Sequence, residues 1–271
     1  MATKTSLLGL TKPAYTDAAD VNVLNTNFDL IDKAVGNGTR VQNLLDNSWF
    51  LNPVNQRGKT SQLGQGYFID RWTSWSDDNQ ISLSTNGLTA NLALTQGVQC
   101  DITKTYTAAV CLADGSIYAG TGIPANGDFG VWEKVWVVKT EYGVAFYLHV
   151  TNAPQTYRWA ALYEGAYTAD TLPAYVYKGY AAELAECQRY FERKYVNVLQ
   201  KGSTTMYLMA SFADKRIYPT VAAMTEMSGN VNANVEIWNI KNDSLGGLIG
   251  SVPDATAEAY WYGYLDLSAD L

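Results

Sequence analysis

Between Tyr67 and Tyr163 the chain is divided into short extended segments at a nearly regular interval, and that rhythm leaves few architectures open. Runs that alternate apolar and polar residues, or are dense in β-branched and aromatic ones, fall at Tyr67–Trp72, Gln80–Ser84, Gly97–Ile102, Tyr106–Leu112, Val131–Val138, Gly143–Val150 and Thr156–Tyr163. Turn signals separate them: Asp77-Asp78-Asn79, Asn86-Gly87, Asp114-Gly115, Pro124 to Gly127, Tyr142-Gly143 and Asn152-Ala153-Pro154. Strands repeating roughly every 8–12 residues predict a β-sandwich or jelly roll of about 120 residues. In Gly143–Val150, Val144, Phe146, Leu148 and Val150 share one face, while Ala145, Tyr147 and His149 share the other.

Composition removes several function classes. The 271 residues are 47% apolar and 17% charged, enough apolar material for a core and too little charge for general disorder. A net charge of −7 disfavours binding nucleic acid through its phosphates, which needs clustered Lys and Arg. The single histidine, His149, excludes two-His metal sites and must serve in any Ser-His-Asp or Cys-His mechanism. Cys100, Cys111 and Cys187 have no metal-binding or paired spacing and are expected to be buried, reduced core thiols of a protein made in a reducing cytosol. No apolar run approaches the ~20 residues of a membrane span. The start, MATKTSLLGLTKPAY, lacks the apolar region of an export signal, so a soluble chain without membrane insertion is expected.

Two helices interrupt the β pattern. Val21, Leu24, Phe28, Ile31 and Val35 follow 3-4-3-4 spacing, an a/d stripe over about two heptads that ends at Gly36-Asn37-Gly38, with Asp17 available as a cap. A stripe this short must be covered, either by copies of itself or by the body of its own chain. A second helix is expected at Gly179–Tyr195, with Tyr180, Leu184, Cys187, Phe191 and Tyr195 inward and Glu183 and Glu186 outward. Further strands are expected near Met206–Phe212, Arg216–Ala223, Val231–Ile240 and Tyr260–Leu267, in a region small for an independent core. The chain thus reads as mainly β in three parts: a short helical, coiled-coil-like stalk over 1–43, a β-sandwich jelly roll over 44–170, and one amphipathic helix with a C-terminal β region over 171–271.

Motifs of catalysis are missing. The sequence has no phosphate-binding glycine loop, no H-E-x-x-H and no G-x-S-x-G. Asp77-Asp78 and Glu183/Glu186 are the candidate carboxylate pairs for glycosidase work, and their turn and helix settings read as solvated charge. His149 in an aromatic strand reads as a packed strand residue. No catalytic residue, metal ligand or cofactor is expected. The unusual material is aromatic: 19 Tyr and 8 Trp against 7 Phe. Trp72 and Trp75, three apart, should point to opposite faces of one strand, leaving one outside. Trp238, Tyr260, Trp261, Tyr262 and Tyr264, together with Trp75, are the candidate receptor or glycan contacts, because aromatic faces stack on sugar C–H faces; the alternative is that they are core or subunit-interface residues.

LLDNSWFLNPVNQRG (44–58) followed by GYFIDRW (66–72) resembles the opening of the carbohydrate-binding-like jelly roll of phage and prophage tail-fibre proteins. LPAYVYKGYAAELAECQRYFERKY (172–195) is similar to the segment after that sandwich, where a helix carrying Leu184, Cys187, Gln188, Arg189, Tyr190 and Phe191 closes the domain. FADKRIYPTVAAM (212–224) resembles the family's Arg-x-x-Pro-Thr strand, and TDAADVNVLNTNFDLIDKAV (16–35) its particle-attachment segment. The resemblance implies a homotrimeric, non-enzymatic virion protein assembled in a bacterial cytoplasm. Its N-terminus would dock on other virion structural proteins and its distal β domains would meet a glycan or protein of the host surface. A head or collar fibre, a decoration protein and a purely structural adaptor stay open, and a glycan depolymerase ranks below them.

Overall fold

The computed structural model of the chain describes residues 3–5, 10–14, 20–38, 41–150, 153–200, 205–229, 232–238, 240–241, 243–251 and 259–269. At the N-terminus Thr3–Lys4 (β1) and Thr11–Lys12 (β2) pair antiparallel, and helix α1 spans Val21–Gly38. The Asn22 N–H donates to Asp20 Oδ1 at 2.9 Å, so Asp20 supplies the cap that was expected of Asp17, which lies outside the described residues. Asn27, off the apolar stripe, clasps β2: its side chain exchanges two hydrogen bonds of 2.8 Å with the Thr11 main chain.

The body is a sandwich of strands Ser61–Leu63 (β3), Gly66–Ile69 (β4), Trp72–Ser74 (β5), Gln80–Ser84 (β6), Gly87–Ala90 (β7), Leu94–Val98 (β8), Tyr106–Leu112 (β9), Ile117–Gly122 (β10), Phe129–Val131 (β11), Val135–Thr140 (β12), Gly143–Leu148 (β13) and Gln155–Glu164 (β14). They form two six-stranded antiparallel sheets, ordered β10-β9-β14-β7-β6-β3 and β11-β12-β13-β8-β5-β4. Phe50, Phe68, Trp72, Leu94, Val110, Phe146 and Leu162 fill the space between them. The expected run Tyr67–Trp72 is split into β4 and β5 by a turn in which Arg71 takes φ 74, and Val131–Val138 is split by Glu133 at φ 64. These are tight turns made by residues other than Gly or Asn, and composition does not announce them. The strand placed at Gly97–Ile102 lies earlier, at β8.

The sheets differ in what covers their outer faces. On the β9/β14 sheet, Ala109, Cys111, Ala161 and Tyr163 are buried under the segment carrying Tyr167, Leu172 and Tyr175. There Tyr175 stacks between Trp49 and Trp159, with ring centroids at 5.2 and 5.0 Å. Among the described residues no segment covers the outer face of the β8/β13 sheet in this way, and it forms an open groove.

Helix α2 covers Tyr180–Gln188, shorter than the sequence predicts. Its last turn tightens, with Arg189 N–H donating to Glu186 O and Tyr190 N–H to Cys187 O, and Phe191 then enters a strand. Strands Phe191–Gln200 (β15), Thr205–Ser211 (β16), Thr220–Gly229 (β17), Asn232–Trp238 (β18), Ser244–Ser251 (β19) and Ala259–Ser268 (β20) complete the chain. They form sheets β15-β20-β17 and β16-β19-β18. Val196, Phe212, Leu245, Trp261, Leu265 and Leu267 give this region a small core. The buried face of α2 is Glu183 and Cys187, whereas Tyr180 and Tyr195 are exposed and Leu184 is only half-buried.

The two β regions meet at a polar joint. Asn47, at φ 50, donates through its side-chain amide to Val54 O (2.8 Å) and Asp70 O (2.7 Å) and accepts from Val54 N–H (2.7 Å). Its own N–H donates to Glu183 Oε2 at 2.7 Å, and its carbonyl accepts from Trp72 Nε1–H at 2.9 Å. Gln56 donates to Phe191 O at 2.8 Å, and the Arg57 guanidinium lies 3.7 Å from the Phe191 ring centroid. Lys215 reaches Glu192 at 2.7 Å and Gln188 O at 2.5 Å. The segments at 44–58, 66–72, 187–191 and 212–216, far apart in sequence, therefore converge on one place.

Candidate functional site

The groove is built by strand alternation. Inward residues of β5, β8 and β13 (Trp72, Leu94, Phe146 and Leu148) fill the sandwich core, which forces the intervening positions outward. In register across the sheet these outward positions are Tyr67, Thr73, Thr95, Tyr147 and Trp136, a row with aromatic rings on both sides of two threonines. The next row pairs Gly97 with Ala145 and leaves the floor low. Trp75 and Tyr142 stand at the rim, 70% and 68% exposed, and the cavity has a volume of about 360 Å³. Tyr142 owes its place to Gly143, whose φ of 149 lets the β12–β13 hairpin turn where a Cβ would meet Val98 O at 2.2 Å. The neighbouring Glu141 carboxylate raises the Tyr142 pKa.

Arg71 closes one flank. Its Nε donates to Asp46 Oδ2 at 3.0 Å and its Nη2 to Gly97 O at 3.0 Å, while the guanidinium lies 3.5 Å from the Tyr190 ring centroid. Arg216 also lines the groove, within 5.7 Å of the same ring. Farther along the same outer face the aromatic surface continues beyond Tyr147: Trp132, 61% exposed, lies 4.2 Å from the His149 ring and 5.4 Å from Trp136. His149 Nδ1 accepts the Glu133 N–H at 3.2 Å, and burial lowers its pKa, so the imidazole is a neutral, packed ring.

The remaining candidates fall in different places. Trp72 is buried in β5, and Trp75, just past the end of that strand, is exposed and lines the groove, so no single strand spans the two, contrary to the sequence expectation. Tyr260, Tyr262 and Tyr264 share the outer face of β20, where Tyr264 and Tyr262 lie 5.5 and 6.5 Å from Tyr195. Trp261 points the other way and is 0% exposed in the C-terminal core, so it presents no ring to a ligand. Trp238 is paired in β18 with Gly246, and its side chain is outside the described residues. The groove's lining takes in none of these C-terminal aromatics. Asp77 and Asp78 are exposed, and Glu186 pairs with Lys178 at 2.7 Å. Glu183 corrects its reading as solvated charge: it is buried against Asn47, and desolvation raises its pKa. Cys111 and Cys187 are buried free thiols, while Cys100 is only half-buried. Among the described residues no group of three His, Cys, Asp or Glu side chains could hold a metal ion.

Sequence reasoning missed Tyr67, Tyr142, Arg71 and Arg216 as groove residues. Alternation in Gly143–Val150 had already set Tyr147 on the face opposite Val144, Phe146 and Leu148. What it lacked was which sheet face would stay uncovered, and a segment remote from β13 decides that. Compared with known family models, curated proteins and solved structures, the chain matches none, so the chemistry of the groove is read from its own side chains.

Proposed function

We propose that this chain is a non-enzymatic fibre or spike protein of a phage particle, that it assembles from copies of itself, and that its sandwich groove takes a glycan of the host surface. The observation that carries the glycan reading is the groove itself. Two rings about 70% exposed flank a floor of threonine, glycine and alanine in a cavity of about 360 Å³, within the size range of ligand sites. A pyranose offers apolar C–H faces to rings and hydroxyls to short polar side chains, and the groove supplies both. The tyrosine face of β20 is a second, weaker candidate contact. Self-assembly is supported by α1, whose Val21, Leu24, Phe28 and Ile31 are 66%, 50%, 60% and 38% exposed along one stripe. The occupant is a second and third copy of this helix, since the heptad spacing is self-complementary; the number three and the attachment of the N-terminus to the particle come from the resemblance.

Light scattering of the full chain at micromolar concentration should give a trimer, and Phe28→Asp should weaken it while leaving the sandwich folded. Trp75→Ala and Tyr142→Ala should reduce adsorption to host cells at least tenfold with the oligomer intact. A stable wild-type monomer would overturn the assembly. Undiminished adsorption by both groove variants, with loss in Tyr260→Ala, would move recognition to β20.

A further inference from the structure

The flank of the groove narrows the class of glycan; this inference rests on the groove reading above. A smaller cavity of about 240 Å³ adjoins the groove, sharing Arg71 and Arg216 with it and adding Arg189, Tyr190 and Asp46. Three of the seven arginines in a chain of net charge −7 thus line one recess. They are not equivalent. Arg71 is buried and committed: its ion pair with Asp46 at 3.0 Å neutralises that carboxylate, and its remaining contacts are to Gly97 O and the face of Tyr190. Arg189 is exposed and Arg216 half-buried, and neither forms an ion pair among the described residues. Their backbones are tied together, Arg216 N–H donating to Arg189 O at 3.1 Å, so the two side chains leave neighbouring points of a fixed joint.

Two uncompensated guanidiniums in a concave polar recess concentrate anions, and each presents a planar fork that matches a carboxylate or phosphate. We infer that the groove and this recess form one extended site for an anionic saccharide, with a sugar ring against Trp75 and Tyr142 and its carboxylate or phosphate held by Arg189 and Arg216. The charge sets which glycans are accepted, and the aromatic rim supplies contact common to all of them.

Two matched pairs of probes test it on the full-length protein by calorimetry: polygalacturonate against its fully methyl-esterified form, and a phosphomannan against its dephosphorylated form. At least one acidic member should bind ten times or more tighter than its neutral partner, and the difference should shrink as salt rises from about 50 to 500 mM, as screening requires. Which pair shows it distinguishes carboxylate from phosphate. The Arg189→Gln/Arg216→Gln double variant, both positions lying outside the sandwich core, should bring the ratio of acidic to neutral affinity close to one, whereas Trp75→Ala should weaken both members together and leave that ratio as it is. Equal binding within both pairs, or a preference that survives the double variant, overturns the anionic class and leaves the groove reading standing. No binding of any probe, with host adsorption unaffected by Trp75→Ala, overturns both.

Discussion

Glu183 looks from the sequence like one more charge on a helix surface, and it is the buried member of a pair with the Asn47 main chain. The i, i+3, i+4 pattern of α2 favoured Tyr180 and Leu184 as the inward side, because periodicity registers apolar residues and has no means of registering a main-chain N–H 136 positions earlier. The consequence is a pH dependence. Desolvation raises the Glu183 pKa in the folded state, so folding binds a proton there that the unfolded chain releases first. This group's contribution to stability is therefore full below its unfolded pKa and falls away as pH rises through its raised folded value. Glu183→Gln keeps an acceptor for Asn47 without the charge. Its unfolding midpoint in urea should change less than wild type's between pH 4 and 7, and an unchanged slope would show that other groups carry the dependence.

At the scale of elements, most strands were legible. Gln80–Ser84 and Tyr106–Leu112 fall where alternation and turn residues put them, because each buries a side against the opposite sheet. Short strands such as β3 and β7 carry too few residues for a period to show. The displaced β8 is the instructive error. The turn after Asn86-Gly87 hides β7, and the reading frame that follows is thrown toward Cys100. Gly97 sits in β8 with its missing side chain over open space, nothing lying within 4 Å of an added Cβ. Gly97→Leu should therefore fold with a stability change within about 1 kcal/mol, as is usual for unclashed surface positions, and fill the groove. Binding should be abolished with the melting temperature moved by no more than a few degrees; a folded variant that binds as well as wild type would remove the groove as the site.

For the whole molecule, a sequence read as a list of parts says nothing of how those parts are fastened. Contacts that cross include Asn47 N–H to Glu183 and Gln56 to Phe191 O; behind them Lys215 and Glu192, both buried, brace the C-terminal side of the joint, with Lys215 Nζ also donating to Gln188 O at the end of α2. Burial lowers the Lys215 pKa, and the carboxylate of Glu192 opposes that shift. A lone buried charge is far more costly than a paired one, so Lys215→Met should destabilise the protein by roughly 3 kcal/mol or more, and adding Glu192→Gln should recover much of the loss. Melting curves followed in both β regions would show them falling together if the joint couples them. Two separated transitions in the wild-type protein would show that the joint fastens without coupling.

The contact between Trp132 and His149 gives the molecule an optical readout of its own surface. An imidazolium quenches the emission of an indole it touches, and here the chain's one histidine lies 4.2 Å from a tryptophan that is mostly in water. The long-wavelength part of the fluorescence should dim as acid is added, with its midpoint below the usual imidazole range because burial holds the ring neutral. His149→Gln should make that band insensitive to acid. In wild type, a bound glycan that reaches Trp132 from the neighbouring groove would shift the titration, turning a single residue pair into a label-free gauge of occupancy.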